Sequence, residues 1–542
     1  MTNLKYTPEE PIAAIATALA PSALGIVRCS GKNSIELLSK VFSRPKALLE
    51  AAGNTIVYGW IQKAENGKRK TESFESGTNV NESCESDTDS LSTFHFPLST
   101  RIDEVLVSVF RGPRSFTGED MVEISCHGGV HVVQTVYNLL LNSGFRAAEK
   151  GEFTFRAYIN GKADLTKAEA VREIIDSKTD ASQSRACGRL AGNLYETIDG
   201  VKKHIVDTLA AIEVEIEYPE DEETIADSFD STELKKAESI LEELASSWKS
   251  EKIYQDGARV VLCGRTNAGK SSLFNALLKE DRAIVSDIEG TTRDFIESWI
   301  DFAGIPARLF DTAGLRETSD VIEAVGVERT RDLSEEADLI LYLVDSKSGL
   351  NDEDKAFILE HISQGHSKIP IILVWNKCDV EDYRVKPDND KFEEFGKDKS
   401  GKFGNDKSGK PDNDKFGELD SGMTGNQNVS LPDLIRQSVP QVRISAKKGI
   451  GLGELSEAVR SALSVGGASE RNSTGLGSER QKISVEKALE SVRHALALSE
   501  DYALDAVVQD LEDSLDALGE VTGDVTPDDV LGSIFSHFCV GK

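Results

Sequence analysis

Ala258-Arg259-Val260-Val261-Leu262-Cys263-Gly264-Arg265-Thr266-Asn267-Ala268-Gly269-Lys270-Ser271 is the stretch that decides the fold. An apolar run long enough for one strand ends at Gly264. Gly264 to Ser271 then fits G-x-x-x-x-G-K-S, a turn that aims backbone N–H groups at phosphates where a helix begins. Gly290-Thr291-Thr292, Asp311-Thr312-Ala313-Gly314, Asn376-Lys377-Cys378-Asp379 and Ser445-Ala446-Lys447 follow in that order. One glycine-rich turn is a common accident, but five ordered motifs are not. They predict a guanine-nucleotide switch that hydrolyses GTP.

Around this turn, Val260–Cys263, Ala307–Phe310, Leu339–Val344 and Ile371–Trp375 read as near-continuous apolar runs, the pattern of a parallel sheet covered on both faces. Helical stretches between them predict a doubly wound α/β domain over 256–465. Residues 385–429 interrupt it: Gly396–Lys402 is echoed by Gly404–Lys410, a low-complexity repeat that cannot bury a core and reads as a solvated insertion.

Each motif has a chemical reason. Lys270 is expected to reach the outer phosphates, Ser271 and Thr292 to ligate magnesium, Asp311 to hold the metal's water shell, and the Gly314 N–H to meet the γ-phosphate. Asp379 can accept two hydrogen bonds from guanine; adenine lacks the amine, so a carboxylate would be left unpaired. Asn376 and Lys377 support that loop, and the Ala446 N–H is expected at the guanine carbonyl. Ala268, Gly269, Ser272, Gly290, Thr312, Ala313, Ser445 and Lys447 complete these motifs, and Cys378 reads as packing. Leu315 stands where other switch proteins carry a water-positioning Gln. Another group must act: Arg316, Glu317, Asp320 and Glu323 are candidates, with Arg293 or a bound cation supplying positive charge.

The chain has 542 residues, room for roughly three domains, and 39% hydrophobic content. Its formal charge of −31 repels nucleic acid over most of the surface, so an RNA contact must be a local patch or come from a partner. Seven scattered cysteines without a CxxC pair suggest neither a disulfide scaffold nor a zinc site and fit a reducing cytoplasm. The apolar stretch Pro11–Cys29 lacks a basic leader and is broken by Pro21 and Gly25, so no membrane span is expected. Cys539-Val540-Gly541-Lys542 is a poor prenylation box, and the chain reads as soluble.

Residues 1–155 mix strand-like runs (Gly25–Arg28, Val105–Phe110, Met121–Ser125) with a helix near Val130–Leu141, an α+β pattern broken by a polar insertion at 63–97. Residues 156–255 turn helical, with Val201, Ile205, Leu209, Ile212 and Ile216 on one stripe. Residues 466–542 are helical again and acidic, with Leu504, Val508, Leu511, Leu515 and Leu518 on one side. The expected architecture is multidomain: an N-terminal α+β domain, a helical domain, and a Ras-like P-loop α/β domain inserted into the helices.

At this point the chain resembles the MnmE (TrmE) family of tRNA-modifying GTPases. Beyond the five motifs, the resemblance rests on Gly25-Ile26-Val27-Arg28 with Ser30-Gly31, Phe116-Thr117-Gly118-Glu119-Asp120 and Cys126-His127-Gly128-Gly129. Gly151-Glu152-Phe153-Thr154-Phe155-Arg156-Ala157, Lys162-Ala163-Asp164-Leu165, Ala168-Glu169-Ala170 and the terminal Cys539-Val540-Gly541-Lys542 also carry it. Thr266 and Val540 depart mildly, where proline and isoleucine are common. The resemblance implies a potassium-activated GTPase. Asn267, Ser286, Ile288 and Thr291 match the family's potassium ligands, Asp287 and Glu289 lie in the same nucleotide-contacting loop, and Glu323 aligns with the water-orienting glutamate.

It also implies that the N-terminal domain binds a formyl- or methylene-tetrahydrofolate through Arg28, Glu119, Lys162 and Lys542, with Cys539 close by as a possible nucleophile. The implied partners are tRNA and an MnmG (GidA) flavoprotein, which alone brings FAD. Dimerisation through the N-terminal domain and a heterotetramer with the partner are implied as well. The implied reaction adds a carboxymethylaminomethyl-type group at C5 of the wobble uridine. Two other classes compete: a ribosome-assembly GTPase switch that binds RNA, and a GTP-regulated scaffold. The first predicts a basic module where this chain has acidic helices, and the second a basic amphipathic helix that is absent.

Overall fold

The computed structural model describes residues 10–63, 101–217, 231–279, 297–311, 337–363, 369–379, 439–463, 475–499 and 504–541. The chain divides into two compact units, Met1–Gln255 with Ala468–Lys542, and Asp256–Gly467.

The first unit opens with β1 (Ile12–Ile15), β2 (Leu24–Ser30), α1 (Ser34–Ser39), α2 (Pro45–Leu49), β3 (Thr55–Gln62), β4 (Arg101–Phe110), β5 (Met121–His127), α3 (Val130–Asn142) and β6 (Arg146–Ala147). Among the described residues the strands form one sheet in the order β3-β4-β5-β2-β1-β6. All pairs are antiparallel except β1 with β6. Alternation does the sorting: Val105, Val107 and Val109 of β4 face the core, where α3 lays down Val133, Val136 and Leu140. The apolar stretch from Pro11 to Cys29 is thus mostly an antiparallel strand pair. The region read as a polar insertion between β3 and β4 lies, apart from Lys63, outside the described residues.

The two faces of this sheet differ. At one end of the second face, Phe153 of α4 (Glu152–Ile159) covers Ile12 and Ala14. At the other end Ile56, Tyr58 and Leu106 stay 65%, 49% and 47% exposed, with Tyr58 directly opposite Leu106.

Helices α5 (Leu165–Asp176), α6 (Asp180–Ala191), α7 (Asn193–Glu217) and α8 (Thr232–Asp256) follow. Asp164 caps α5 by accepting the Lys167 N–H at 3.0 Å, and Thr179 caps α6 through the Ser182 N–H at 3.2 Å.

In the second unit come β7 (Ala258–Gly264), α9 (Lys270–Lys279), β8 (Glu297–Phe302), β9 (Ile305–Asp311), β10 (Leu339–Asp345), α10 (Asp352–Ser363), β11 (Ile371–Asn376), β12 (Gln441–Arg443) and α11 (Leu452–Leu463). The strand order is β12-β11-β10-β7-β9-β8, parallel throughout except for the edge pair β8–β9. The order reverses between β7 and β10, the crevice where doubly wound sheets bind ligands. Strand β8 escaped the sequence reading because Ser298 and Asp301 break its apolar run at an edge that needs only one buried face.

The chain then returns to the first unit as α12 (Glu479–Ser499), α13 (Leu504–Thr522) and α14 (Asp528–Ser536). Val201, Ile205 and Ile212 of α7 share one core with Leu234 and Leu241 of α8, Val485 and Val492 of α12, and Leu511 and Leu518 of α13. The P-loop unit is therefore an insertion into a helical one. Among the described residues no helix is long and apolar enough to cross a membrane.

Both connections to the insertion pass through one buried charge cluster of the first unit. Arg185 and Arg189 of α6 hold Glu251, near the end of α8, with Arg189 Nη1 2.9 Å from Oε2. Arg189 also donates to the Gly475 carbonyl at 3.2 Å, on the returning segment, and through Nε to Glu173 Oε2 at 2.7 Å. A Cβ at Gly475 would lie 2.4 Å from Glu251 Cγ, so glycine is required for this approach. Burial pushes the Glu173 carboxyl up to about 7 despite Arg189, and its Oε1 has no hydrogen-bond partner.

Candidate functional site

The turn from Gly264 to Lys270 sits at the C-terminal end of β7. Gly264 and Gly269 adopt φ of +128° and +100°. A Cβ on Gly264 would be 2.3 Å from the Leu343 carbonyl, and one on Gly269 2.1 Å from Asn376 Nδ2. Only glycine allows the turn to sit this tightly against β10 and β11.

The carbonyls of Gly264, Arg265, Asn267 and Ala268 each accept from a side chain. Lys270 Nζ donates to the Gly264 and Arg265 carbonyls at 2.7 and 3.1 Å. Lys377 Nζ takes the Asn267 carbonyl at 2.7 Å, and Asn376 Nδ2 the Ala268 carbonyl at 2.9 Å. The turn leads straight into the N-terminus of α9, where backbone N–H groups and the helix dipole favour an anion.

The Asn376–Asp379 and Ser445–Lys447 segments meet the same turn. Asn376 Oδ1 accepts the Ala446 N–H at 3.1 Å and the Lys377 N–H at 2.8 Å. The Ala446 N–H, expected at the guanine carbonyl, thus already has a protein acceptor: the donor end of the Asn376 amide is committed to Ala268, which turns its acceptor end to Ala446. Ser445 Oγ donates to Asp379 Oδ1 at 2.8 Å, and Lys448 Nζ lies 3.7 Å from Oδ2. That hydrogen bond, aided by Lys448, holds the Asp379 carboxyl below the ordinary carboxylate range, so it is an acceptor at neutral pH. Lys377 Nζ also pairs with Asp345 Oδ2 at 2.7 Å. Burial raises the Asp345 carboxyl, but the Lys377 bond and the Lys347 N–H outweigh it and hold it low.

Asp311 is buried at the end of β9, in register with Leu262 beside the turn, while Ser271 and Ser272 are exposed at the start of α9. A hydroxyl and a carboxylate on neighbouring elements are hard oxygen donors that fit magnesium. Asn267 stands exposed with φ of 65°. The remaining expected residues, Ser286, Asp287, Ile288, Glu289, Gly290, Thr291, Thr292, Thr312, Ala313, Gly314 and Glu323, lie outside the described residues. The structure therefore brings together the first, fourth and fifth motifs and the Asp311 end of the third.

In the first unit, Arg28, Glu119 and Lys162 converge around β2. Arg28 Nε donates to Glu123 Oε1 at 2.8 Å and Nη1 to the Gly541 carbonyl at 3.0 Å. Two residues on, Ser30 Oγ donates to Glu119 Oε2 at 2.8 Å, and the buried Arg156 reaches the same oxygen at 3.1 Å. Gly118 has φ of +80°, and a Cβ there would be 3.3 Å from Lys162 Cγ. The C-terminal tail is anchored up to Gly541: the Gly151 N–H donates to the Cys539 carbonyl at 3.4 Å, and Val540 bridges Lys150. Lys542 lies outside the described residues. Cys539 is exposed, and His537, two residues before it, turns Nδ1 to the Ser533 carbonyl at 2.7 Å.

Sequence reasoning missed Asp354 and Tyr342. Asp354 Oδ2 takes the Asn351 N–H at 2.9 Å while Asn351 Oδ1 takes the Asp354 N–H at 2.8 Å, a reciprocal helix cap. The Asn351-x-x-Asp354 spacing before an apolar helix could have signalled it.

Comparison with known proteins agrees with this layout. Residues 11–162 match the family described as GTP-binding protein TrmE N-terminus, and residues 165–539 match MnmE helical domain. The tRNA modification GTPase MnmE of Treponema denticola is 46% identical over 546 residues, covering 99% of both chains. Its namesake in Treponema pallidum (strain Nichols) is 39% identical over 99% of both. That of Carboxydothermus hydrogenoformans is 38% identical over 98% of this chain and all of its own. With matches of this length and identity resting on the fold just described, the chain belongs to the MnmE (TrmE) family of tRNA modification GTPases.

Proposed function

We propose that this chain binds GTP where the Gly264–Lys270 turn meets Asn376, Asp379 and Ala446, and hydrolyses it to drive modification of the tRNA wobble uridine. The observation that carries this reading is the Asn376 amide, which joins the phosphate turn to the base-selecting loop while Asp379 is kept anionic. Ser271 and Thr292 would hold magnesium, with Asp311 on its water shell. Asn267, Ser286, Ile288 and Thr291 would hold potassium, whose charge would offset that developing on the phosphates. Glu323 would orient the attacking water in place of the absent Gln.

In the first unit, Arg28, Glu119, Lys162 and Lys542 would bind a reduced folate. Basic groups suit its glutamyl carboxylate, an acid suits the pterin amine, and the anchored tail would bring Lys542 and the Cys539 thiol to the site. An MnmG (GidA) flavoprotein would supply FAD and much of the basic surface that a chain of charge −31 lacks. The exposed Ile56, Tyr58 and Leu106 support a homodimer through the N-terminal domain, extended to a heterotetramer by the partner. The implied product carries a carboxymethylaminomethyl-type group at C5, and the reaction would run in the cytoplasm.

The test is nucleoside analysis of tRNA from cells lacking this gene. Loss of the C5 substituent at the wobble uridine is expected. Intact modification together with defective ribosomal subunits would instead favour an RNA-binding assembly switch.

A further inference from the structure

Within the glycine-rich turn, the Arg265 side chain reaches the start of α10 and the segment that leads into it. Its Nε lies 3.1 Å from Asp354 Oδ2, and its Nη2 donates to the Gly349 carbonyl at 2.6 Å. Asp354 is 1% exposed in its side chain, and its other oxygen accepts the Tyr342 hydroxyl at 2.8 Å. Tyr342 stacks on Phe357 of α10 with ring centroids 5.1 Å apart. A carboxylate removed from water this completely needs its cation, so the turn is anchored to a fixed point in the core of the unit. The peptide carrying that anchor is the one whose carbonyl receives Lys270 Nζ at 3.1 Å.

We propose that Arg265, through Asp354, is a positioning residue for the phosphate-binding turn: the pair fixes the Arg265 peptide, and thereby Lys270, for the β-phosphate of a guanine nucleotide. Arg265 itself touches no phosphate. The inference rests on the reading of this site as a GTP site. Its logic is geometric: Lys270 is bound to the loop's own backbone, so a loop free to rock would carry the ammonium with it.

The experiment uses the full chain with Arg265→Met, Arg265→Lys, Asp354→Asn and the double variant Arg265→Met/Asp354→Asn, titrated with GDP, GTP and guanosine. Arg265→Met is expected to weaken GDP and GTP alike by about tenfold, the worth of one well-placed charged contact. Guanosine, which meets only the base loop, is expected to bind as before. Arg265→Lys keeps the charge but not the two-pronged reach and is expected to recover part of the loss. Asp354→Asn retains an acceptor for the Tyr342 hydroxyl while removing the charge and the oxygen that faces Arg265, so it tests the pair even if Arg265→Met folds poorly. The double variant is expected to lose no more than the worse single variant, because both substitutions break one link.

Wild-type affinity for GDP in Arg265→Met and Asp354→Asn would overturn the proposal. So would a parallel loss of guanosine binding, which marks general destabilisation, or losses that add in the double variant. A parent chain that binds ATP as well as GTP would instead refute the GTP reading itself.

Discussion

Asn376 Nδ2 donates to the Ala268 carbonyl at 2.9 Å, so the residue that opens the Asn376–Asp379 motif also closes the glycine-rich turn. The two halves of the proposed nucleotide site are thereby one hydrogen-bonded object rather than two loops that happen to adjoin.

Asn376→Asp keeps the acceptor for the Ala446 and Lys377 N–H groups but removes the donor to Ala268. A buried carbonyl left unpaired costs about 1–3 kcal/mol. GTP affinity is expected to fall at least tenfold and the melting temperature to drop. Calorimetric titration and a thermal melt check both, and unchanged affinity would mean the tie is incidental.

Asp379→Asn replaces an acceptor-only carboxylate with a group that also donates. GTP binding is expected to fall by about two orders of magnitude, two charged hydrogen bonds' worth, while xanthosine triphosphate gains. Competition binding with the two triphosphates reads the exchange. If preference does not move, the guanine edge is recognised elsewhere.

GTP turnover is expected to rise steeply when sodium is replaced by potassium, and Asn267→Ala to flatten that response. Glu323→Ala is expected to lower turnover with GTP binding kept. Equal rates in the two salts would remove the cation role, and full turnover in Glu323→Ala would remove the glutamate.

Arg28→Ala takes away the group that holds both Glu123 and the Gly541 carbonyl. Binding of 5-formyltetrahydrofolate is expected to weaken about tenfold or more, the scale of a hydrogen bond to a charged group. Undiminished binding by calorimetry would place the folate site away from β2.

Glu173 gives a pH test of the buried cluster. Its folded carboxyl is raised to about 7 from an ordinary value of 4.5, so between those limits the native state holds more protons than the unfolded one. Its contribution is full below the unfolded value and is lost as pH rises through about 7, an effect of roughly 1–3 kcal/mol. Glu173→Gln, which cannot ionise, is expected to lose less stability than the parent between pH 5 and 8. Parallel melting curves across that range would contradict it.

What could be read from the linear chain was whatever depends on near neighbours. Val260–Cys263 and Leu339–Val344 announce buried parallel strands because both their faces are covered. The apolar stripes of α7 and α13 announce one buried side each because helical period maps position onto face. The spacing of Gly264, Gly269 and Lys270 likewise prescribes a turn whose φ angles glycine alone tolerates. The edge strand β8 and the short β1 stayed hidden, since a strand that gains its meaning from a partner carries a weak signal of its own.

Tertiary structure alone decided which residues hold one another. Arg265 could have been a phosphate ligand, but the fold gives it to Asp354; Arg28 could have been a free surface charge, but the fold gives it to Glu123 and the docked tail. The physical reason is that periodicity and turn chemistry act over a few residues, whereas a buried ion pair or a shared amide is chosen by desolvation among groups brought together from distant parts of the chain. Motifs named the chemistry, and packing chose the partners.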